Sequence, residues 1–517
     1  MSQRIRLRYS GLTLFASKAF SILTGFIFVI AVTRNISSHD FGVWQNIGDM
    51  VGYFVILSGV IPGWVTRYVA RDQQNAATTG LVTNFVISLP FLVAWLFFAP
   101  EFAKIADSPS IYYTLACLMI LGTYLKPALE GIAQAKKPHL LGWDVAIHES
   151  TMVSFGIALV MILKFGLLGA LVAVISSNFV DVVFYIVTLR SILGRGMNWS
   201  YLKNWFRAST ISIYGMVGDR LGATNTILLI IYSGATARAY VGAAYTVALS
   251  ISYVSTLAIG LYPKLLAGGS SEDVETVLRS MLMFAMPMVA GTLVLAQPLL
   301  AILNPVYSVA ASVLYLMAIS YLPWCLSITL DTIITGTERI DQTSFKMKDL
   351  IKSRLFLPAS LSYLNSIITL PLLYFVLTYL KPNPLDSALY LVAIGYAGAL
   401  TLLVIKYVVA KRYVGFKLPA KDFTKYCIAS IIMAVALLQL PVPARISTIL
   451  PIVALGATIY FTILLIIDRE TRKLFRSVVA ELRKTKNVQP NSNKSLPKEL
   501  GNCALSKPPP GLESATH

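Results

Sequence analysis

Apolar residues along this chain arrive in blocks of about 20, the length at which a helix rising 1.5 Å per residue crosses roughly 30 Å of hydrocarbon. Short polar breaks separate the blocks. Read in order, they predict spans at 11–33, 43–62, 80–99, 111–135, 144–164, 166–190 and 209–232 in the first half. The second half continues with 239–263, 280–303, 311–336, 354–379, 386–410, 424–441 and 446–467. The second block carries Gln45, Asn46 and Asp49, and between the fifth and sixth only Gly166 is available for a tight turn. The predicted class is an all-α polytopic membrane protein with about 14 transmembrane helices.

Composition strengthens this reading. Hydrophobic residues make up 56% of the 517 and charged residues only 13%, against about one quarter charged in soluble domains. Of the 43 Lys and Arg, only Arg34, Lys104, Lys164, Arg238, Lys381 and Arg445 fall in one set of loops. Apart from Lys18, Lys126, Arg220 and Lys406 within spans, the others lie in the alternate loops and the tail. Basic segments resist translocation, so this asymmetry predicts that both termini are cytoplasmic; the expected location is the plasma membrane. The first span exceeds a cleavable signal core and is expected to be retained. The net charge of +19 is spread over inner loops without clustered stacking aromatics, which disfavours nucleic acid as a partner and favours anionic membrane lipids. Cys117, Cys325 and Cys427 lie in spans and Cys503 in the tail, with no spacing for a disulfide framework or a metal site.

The chain also repeats itself. Spans beginning at 11, 80 and 111 find counterparts near 209, 280 and 311, an offset of about 200 residues that drifts to about 220 by the sixth span, and such parallel repeats are a feature of transporters. Glu130 maps onto Asp331 in this alignment. The expected organisation is an N-lobe at 1–190, an amphipathic linker at 191–208, a C-lobe at 209–411, an extra helix pair at 412–468 and a basic, largely disordered cytoplasmic tail at 469–517. Trp199, Tyr201, Trp205 and Phe206 among Arg195, Lys203 and Arg207 give the linker its interfacial character.

Charges inside spans are costly, about 2.5–3.5 kcal/mol each at a helix centre, and therefore mark a wet cavity or a partner. Lys18 sits in a polar stripe of Ser10, Thr13, Ser17, Ser21 and Thr24. Asp49 and Arg67 are five turns apart and share a face only if the helix runs through Pro62. Lys126 and Glu130 can pair at i, i+4, whereas the adjacent Asp219 and Arg220 diverge by about 100° around their helix. Asp331 has no local cation, Lys406 can snorkel to the inner interface, and Asp144, His148 and Glu149 lie near the inner boundary. The sequence contains no P-loop, metal-ligand cluster or nucleophile triad, and its outer loops leave no room for a catalytic domain.

Three stretches carry a family resemblance. The first is Ala31-Val32-Thr33-Arg34, then Phe41-Gly42-Val43, Gly59 and Arg67-Tyr68-Val69-Ala70-Arg71. The second runs from Pro298 to Leu303, through Tyr307, to Val313-Leu314-Tyr315-Leu316. The third is Gly456-Ala457-Thr458-Ile459-Tyr460 leading into Asp468, Glu470 and Arg472. Over roughly residues 10–480 the chain resembles the Wzx-type polysaccharide and lipid-linked oligosaccharide flippases of the multidrug/oligosaccharidyl-lipid/polysaccharide (MOP) exporter superfamily. The resemblance implies two six-helix lobes plus two C-terminal helices, alternating access, no enzymatic step and no cofactor.

Under it, Lys18, Arg67, Lys126 and Arg220 are the candidates for binding a polyprenyl or dolichyl phosphate or diphosphate head group that carries a glycan. Asp49, Glu130, Asp219 and Asp331 are the candidates for coupling to H+ or Na+, with the membrane potential as another driving force. Glycan-assembly enzymes are the expected protein partners of a monomer. The alternatives are a multidrug extruder of the same superfamily and, disfavoured by the short loops, a membrane glycosyltransferase or an O-antigen ligase or polymerase.

Overall fold

The computed structural model describes residues 20–21, 23–194, 196–258, 261–266, 269–337, 353–441 and 444–472. Residues 1–463 form one compact unit and 464–517 a second, of which the described part ends at 472. Of the tail expected at 469–517, residues 469–472 are described and helical; the rest of it and Lys18 fall outside the described residues.

Among the described residues the fold is helical without strands. In chain order the helices are α1 (Leu23–Thr33), α2 (Ser38–Phe54), α3 (Pro62–Ala70), α4 (Ala76–Ile105), α5 (Ser110–Leu115) and α6 (Cys117–Lys136). They continue with α7 (Leu140–Gly156), α8 (Gly166–Leu189), α9 (Ser200–Ala208), α10 (Thr210–Ser252), α11 (Leu261–Leu266) and α12 (Ser271–Val294). The last six are α13 (Ala296–Leu303), α14 (Ala311–Gly336), α15 (Phe356–Phe375), α16 (Pro384–Val414), α17 (Ala420–Leu438) and α18 (Ile446–Ile467).

Among the described residues, 10 helical segments are long and apolar enough to cross a membrane. The other expected spans have local explanations. α1 is apolar but short in its described part; α2 ends at Phe54, inside the second block; α10 contains two blocks; and α17 opens with Lys421, Asp422 and Lys425. The α4 side chains Val93 and Phe97 are 70% and 76% exposed, which suits a lipid-facing surface rather than water.

Local chemistry sets several boundaries. Ser37 caps α2 by accepting from the Asp40 amide, while Asn383 caps α16 ahead of Pro384, whose missing N–H is harmless in a first turn. Gly415 ends α16 in the left-handed region at φ 68°, its amide donating to the Lys411 carbonyl. Lys164 and Gly166, with φ of 56° and 57°, make the expected tight turn before α8. Pro90, Pro100, Pro127, Pro287, Pro323, Pro371 and Pro451 lie inside helices, where lipid leaves the chain no alternative to remaining helical.

Two boundaries differ from expectation. The second block breaks after Phe54, so Asp49 on α2 and Arg67 on α3 occupy different helices and do not share a face. The loop expected at 233–238 is reduced to one non-helical residue, Gly234, with φ 78° and ψ 175°, and Arg238 is therefore helical and buried.

In the first half α6 packs on α3, α4 and α8, and α7 on α8; in the second, α10 packs on α15 and α16, α14 on α16, and α12 on α14 and α17. The halves meet mainly where α2 lies along α10. Gly42 makes that approach close, because a Cβ there would collide with the backbone of Ala235. Nearby, Thr33 Oγ1 donates to the Leu303 carbonyl at 2.9 Å, Arg34 Nε to the Ile302 carbonyl at 2.9 Å and Asn304 Nδ2 to the Thr33 carbonyl at 2.8 Å. The rings of Phe41 and Tyr307 meet with centroids 5.6 Å apart.

The linker helix α9 docks on the first half. Trp205 is fully buried beside Tyr68, and Trp64 Nε1 donates to Ser209 Oγ at 2.7 Å, just after α9 ends.

Gly42→Leu is expected to destabilise the protein by about 1–3 kcal/mol, since neither backbone can yield to the added side chain. Gly395→Ala, where a Cβ meets nothing within 4 Å, serves as the control and is expected to leave stability unchanged or slightly raised. Thermal midpoints of the two variants in detergent measure the difference.

Candidate functional site

Three neighbouring helices each contribute titratable residues one turn apart: Lys126 and Glu130 on α6, Asp144 and His148 on α7, Asp181 and Tyr185 on α8. The i, i+4 spacing puts each pair on one face, and the packing of α6 and α7 on α8 brings the faces together. Lys126 Nζ lies 2.6 Å from Asp181, 3.3 Å from Asp144 and 3.9 Å from Glu130. Asp181 also meets His148 Nδ1 at 2.6 Å. The expected Lys126 to Glu130 pair is thus the longest of three contacts, and the carboxylates of other helices hold the lysine more tightly.

A second pair joins the halves. Arg238 on α10 donates from Nε and Nη2 to the two carboxylate oxygens of Asp49 at 2.6 and 2.9 Å, in the two-pronged geometry that makes guanidinium–carboxylate bonds strong. Gln45 Oε1 accepts from the same Nη2 at 3.4 Å.

The third pair belongs to the second half. Lys406 on α16 donates to Asp331 on α14 at 2.7 Å and to Ser327 at 2.9 Å, so it is buried rather than snorkelling and supplies the cation that Asp331 lacks on its own helix. In the repeat expected from the sequence, α6 corresponds to α14 and α8 to α16. The cation sits on the first helix of one pair and on the second helix of the other, so polarity is reversed between the halves.

The remaining sequence candidates are dispersed. Asp219 accepts from Ser362 Oγ at 2.8 Å. The Arg220 guanidinium rests against Gly52, where any Cβ would displace it, and the Tyr53 hydroxyl donates to the Arg220 carbonyl at 3.0 Å. Among the described residues no carboxylate lies within the 4.0 Å ion-pair distance of Arg220. Arg67 is exposed on α3 with its guanidinium 4.9 Å over the Trp64 ring.

A cavity of about 710 Å³ lies among α1, α10, α12, α17 and α18. Its wall is mainly apolar, with Val29, Leu249, Phe284, Met288, Leu437 and Phe461 among the lining side chains. Glu149 is the acidic group in the wall, and both its oxygens are held by the first span: Ser21, ahead of α1, donates at 2.5 Å and Thr24 on α1 at 2.8 Å. The polar stripe expected on the first span therefore contacts a carboxylate from α7.

Sequence reasoning missed Asp181 and assigned Arg238 to a loop. Asp181 was detectable as an acidic residue near the middle of the 166–190 block, and Gly234 as a residue able to turn the chain without a loop.

Membrane-length helices in this arrangement, with ion pairs between them, define a polytopic membrane protein with the fold of MOP-superfamily transporters. Among solved structures, lipid II flippase MurJ in an inward closed conformation aligns with a TM-score of 0.68 at 13% identity, covering 89% of this chain and 99% of that one. An inward-facing multidrug resistance MATE family transporter of the MOP superfamily gives 0.59 at 12% identity, covering 76% and 95%. A MOP superfamily transporter from Pyrococcus furiosus, described as having a binding pocket of reverse polarity, gives 0.51 at 12% identity, covering 79% and 95%. No family model and no curated protein matches the sequence.

Removing one member of a buried pair strands its partner, so Lys406→Met is expected to cost about 3–5 kcal/mol. Lys406→Met combined with Asp331→Leu is expected to recover most of that loss. A double-mutant cycle on denaturation midpoints reads the coupling directly.

Proposed function

We propose that the protein is a flippase that moves a lipid-linked oligosaccharide, carried on a polyprenyl or dolichyl phosphate or diphosphate, from the cytoplasmic to the outer leaflet of the plasma membrane. Residues 1–190 and 209–411 act as the two lobes of an alternating-access cycle, with both termini cytoplasmic and the glycan serving surface polysaccharide or glycoprotein assembly. The observation that carries this reading is the contrast between cations. Lys126, Arg238 and Lys406 are neutralised by carboxylates of neighbouring helices, whereas Arg220 has none within ion-pair distance among the described residues. A half-buried guanidinium without a carboxylate partner suits a phosphate, which it can bind through two parallel hydrogen bonds.

The apolar cavity supports the same reading, since a polyprenyl chain needs an apolar path beside the route of its polar head. Arg67 offers a cation at the membrane surface for capture of the phosphate, and Lys18 extends the polar stripe of the first span.

Glu149 in the cavity wall favours a second reading, a multidrug extruder acting on organic cations. The two readings separate in proteoliposomes containing the full-length protein. With labelled lipid diphosphate-oligosaccharide, wild type is expected to expose the glycan to a membrane-impermeant reagent on the far leaflet. Arg220→Ala is expected to slow this about tenfold, the equivalent of one charge-assisted hydrogen bond. Wild type that flips no such lipid while transporting ethidium would establish the extruder instead.

A further inference from the structure

The cavity draws two kinds of lining from its helices. From α12, α17 and α18 come apolar side chains such as Phe284, Met288, Leu437 and Phe461, whereas α2, α7 and α10 contribute Gln45, Glu149, Tyr245, Thr246 and Ser250. Among the described lining residues there is no Lys, Arg or His, and Glu149 is the one carboxylate. Its residue exposure is 7%, and no described cation lies within 4.0 Å of it. The groups that hold it, the hydroxyls of Ser21 and Thr24, are neutral.

An ionised carboxylate accepts hydrogen bonds at about four lone-pair positions. Two hydroxyls leave about half of that capacity open to the cavity, on an enclosed anion whose charge no described side chain offsets. The ligand group that matches is a cation with N–H donors. Tyr245 on α10 and Tyr253 just beyond it line the same cavity with 44% and 42% of their surface exposed, and the face of a tyrosine ring attracts an ammonium.

Arg220 presents the opposite sign close by. Its guanidinium rests against Gly52, seven residues from Gln45 on α2. Seven residues are nearly two helical turns, so the cavity edge at Gln45 and the guanidinium at Gly52 share one face of α2, about 10 Å apart along its axis. The Asp49 to Arg238 pair between them is internally neutral and leaves the two outlying charges as they are.

We propose that the molecule moved is a zwitterion: a lipid-linked glycan with a free, protonated amine on a sugar near its phosphate, the ammonium bound by Glu149 beside Tyr245 and the phosphate by Arg220. This deepens the flippase reading and rests on it. A substrate carrying both charges answers both side chains at once. Glu149 then acts as a specificity-determining residue, because an acetylated sugar has lost the charge that the carboxylate needs and leaves it uncompensated beside an anionic lipid.

The test uses full-length protein in proteoliposomes and two radiolabelled substrates, a polyprenyl diphosphate bearing a glucosamine disaccharide and the same lipid with both amines acetylated. A membrane-impermeant pyrophosphatase, which cleaves the diphosphate common to both, reads arrival on the far leaflet. Wild type is expected to flip the free-amine lipid about tenfold faster than the acetylated one, the effect of one charge-assisted hydrogen bond. Glu149→Gln is expected to lower the free-amine rate to that of the acetylated lipid while leaving the acetylated rate unchanged. A misfolded variant would instead lower both rates together, and the wild-type comparison decides the matter without any variant. Equal, measurable rates in wild type, or a preference that survives in Glu149→Gln, overturn the zwitterion and leave the flippase reading standing. Wild type that flips neither lipid rejects both.

Discussion

Three of the cations enclosed by these helices are answered by carboxylates of other helices, and this pairing organises the molecule. In water an exposed ion pair contributes little, because solvent already stabilises both ions. In a lipid-spanning bundle the alternative to a partner is an unpaired ion in hydrocarbon, so a single lysine or arginine determines which helices lie together. Lys126 gathers α6, α7 and α8; Lys406 binds α16 to α14; Arg238 fixes α10 to α2 across the two halves. Close backbone contacts then complete what the ion pairs begin, as at Gly42 and Ala235.

The pairs on α6/α8 and α14/α16 carry reversed polarity, which bears on how the repeat expected from the sequence would have diverged. What is kept is a neutral crosslink between corresponding helices; which helix carries which sign is not. An ion pair tolerates exchange of its members in a way that a lone charge aimed at a ligand does not. The added carboxylates are found on the first-half pair, where Asp144 and Glu130 surround Lys126, whereas Lys406 faces Asp331 and a serine hydroxyl. The halves are therefore similar as scaffolds and different as electrostatic environments.

The helices were legible in the sequence because hydrocarbon thickness fixes their length, and the turn at Gly166 because the chain offered one residue there able to make it. The 311–336 block coincides with α14 to the residue. Partnerships were not legible in the same way. Lys126 has a carboxylate at i+4 on its own helix, yet its shortest contact is Asp181, 55 residues away, since local spacing is blind to how α8 packs. Arg238 looked like a loop residue because it falls in the polar break between two apolar blocks; Gly234, with positive φ, does the work of that connection four residues earlier and leaves the arginine inside. The cavity, assembled from helices of both halves spread over more than 400 residues, has no counterpart in any single stretch of sequence.

The bond between Trp64 and Ser209 bears on how the halves can move. α9 ends at Ala208 and α10 begins at Thr210, so one residue joins the docked linker to the longest helix of the second half, and that residue's side chain is fastened to α3. A joint this short cannot stretch or slide. It restricts α10 to swivelling about Ser209, as a door is restricted by its hinge pin, and makes a rotation rather than a translation the motion that the chain itself permits between the parts it connects.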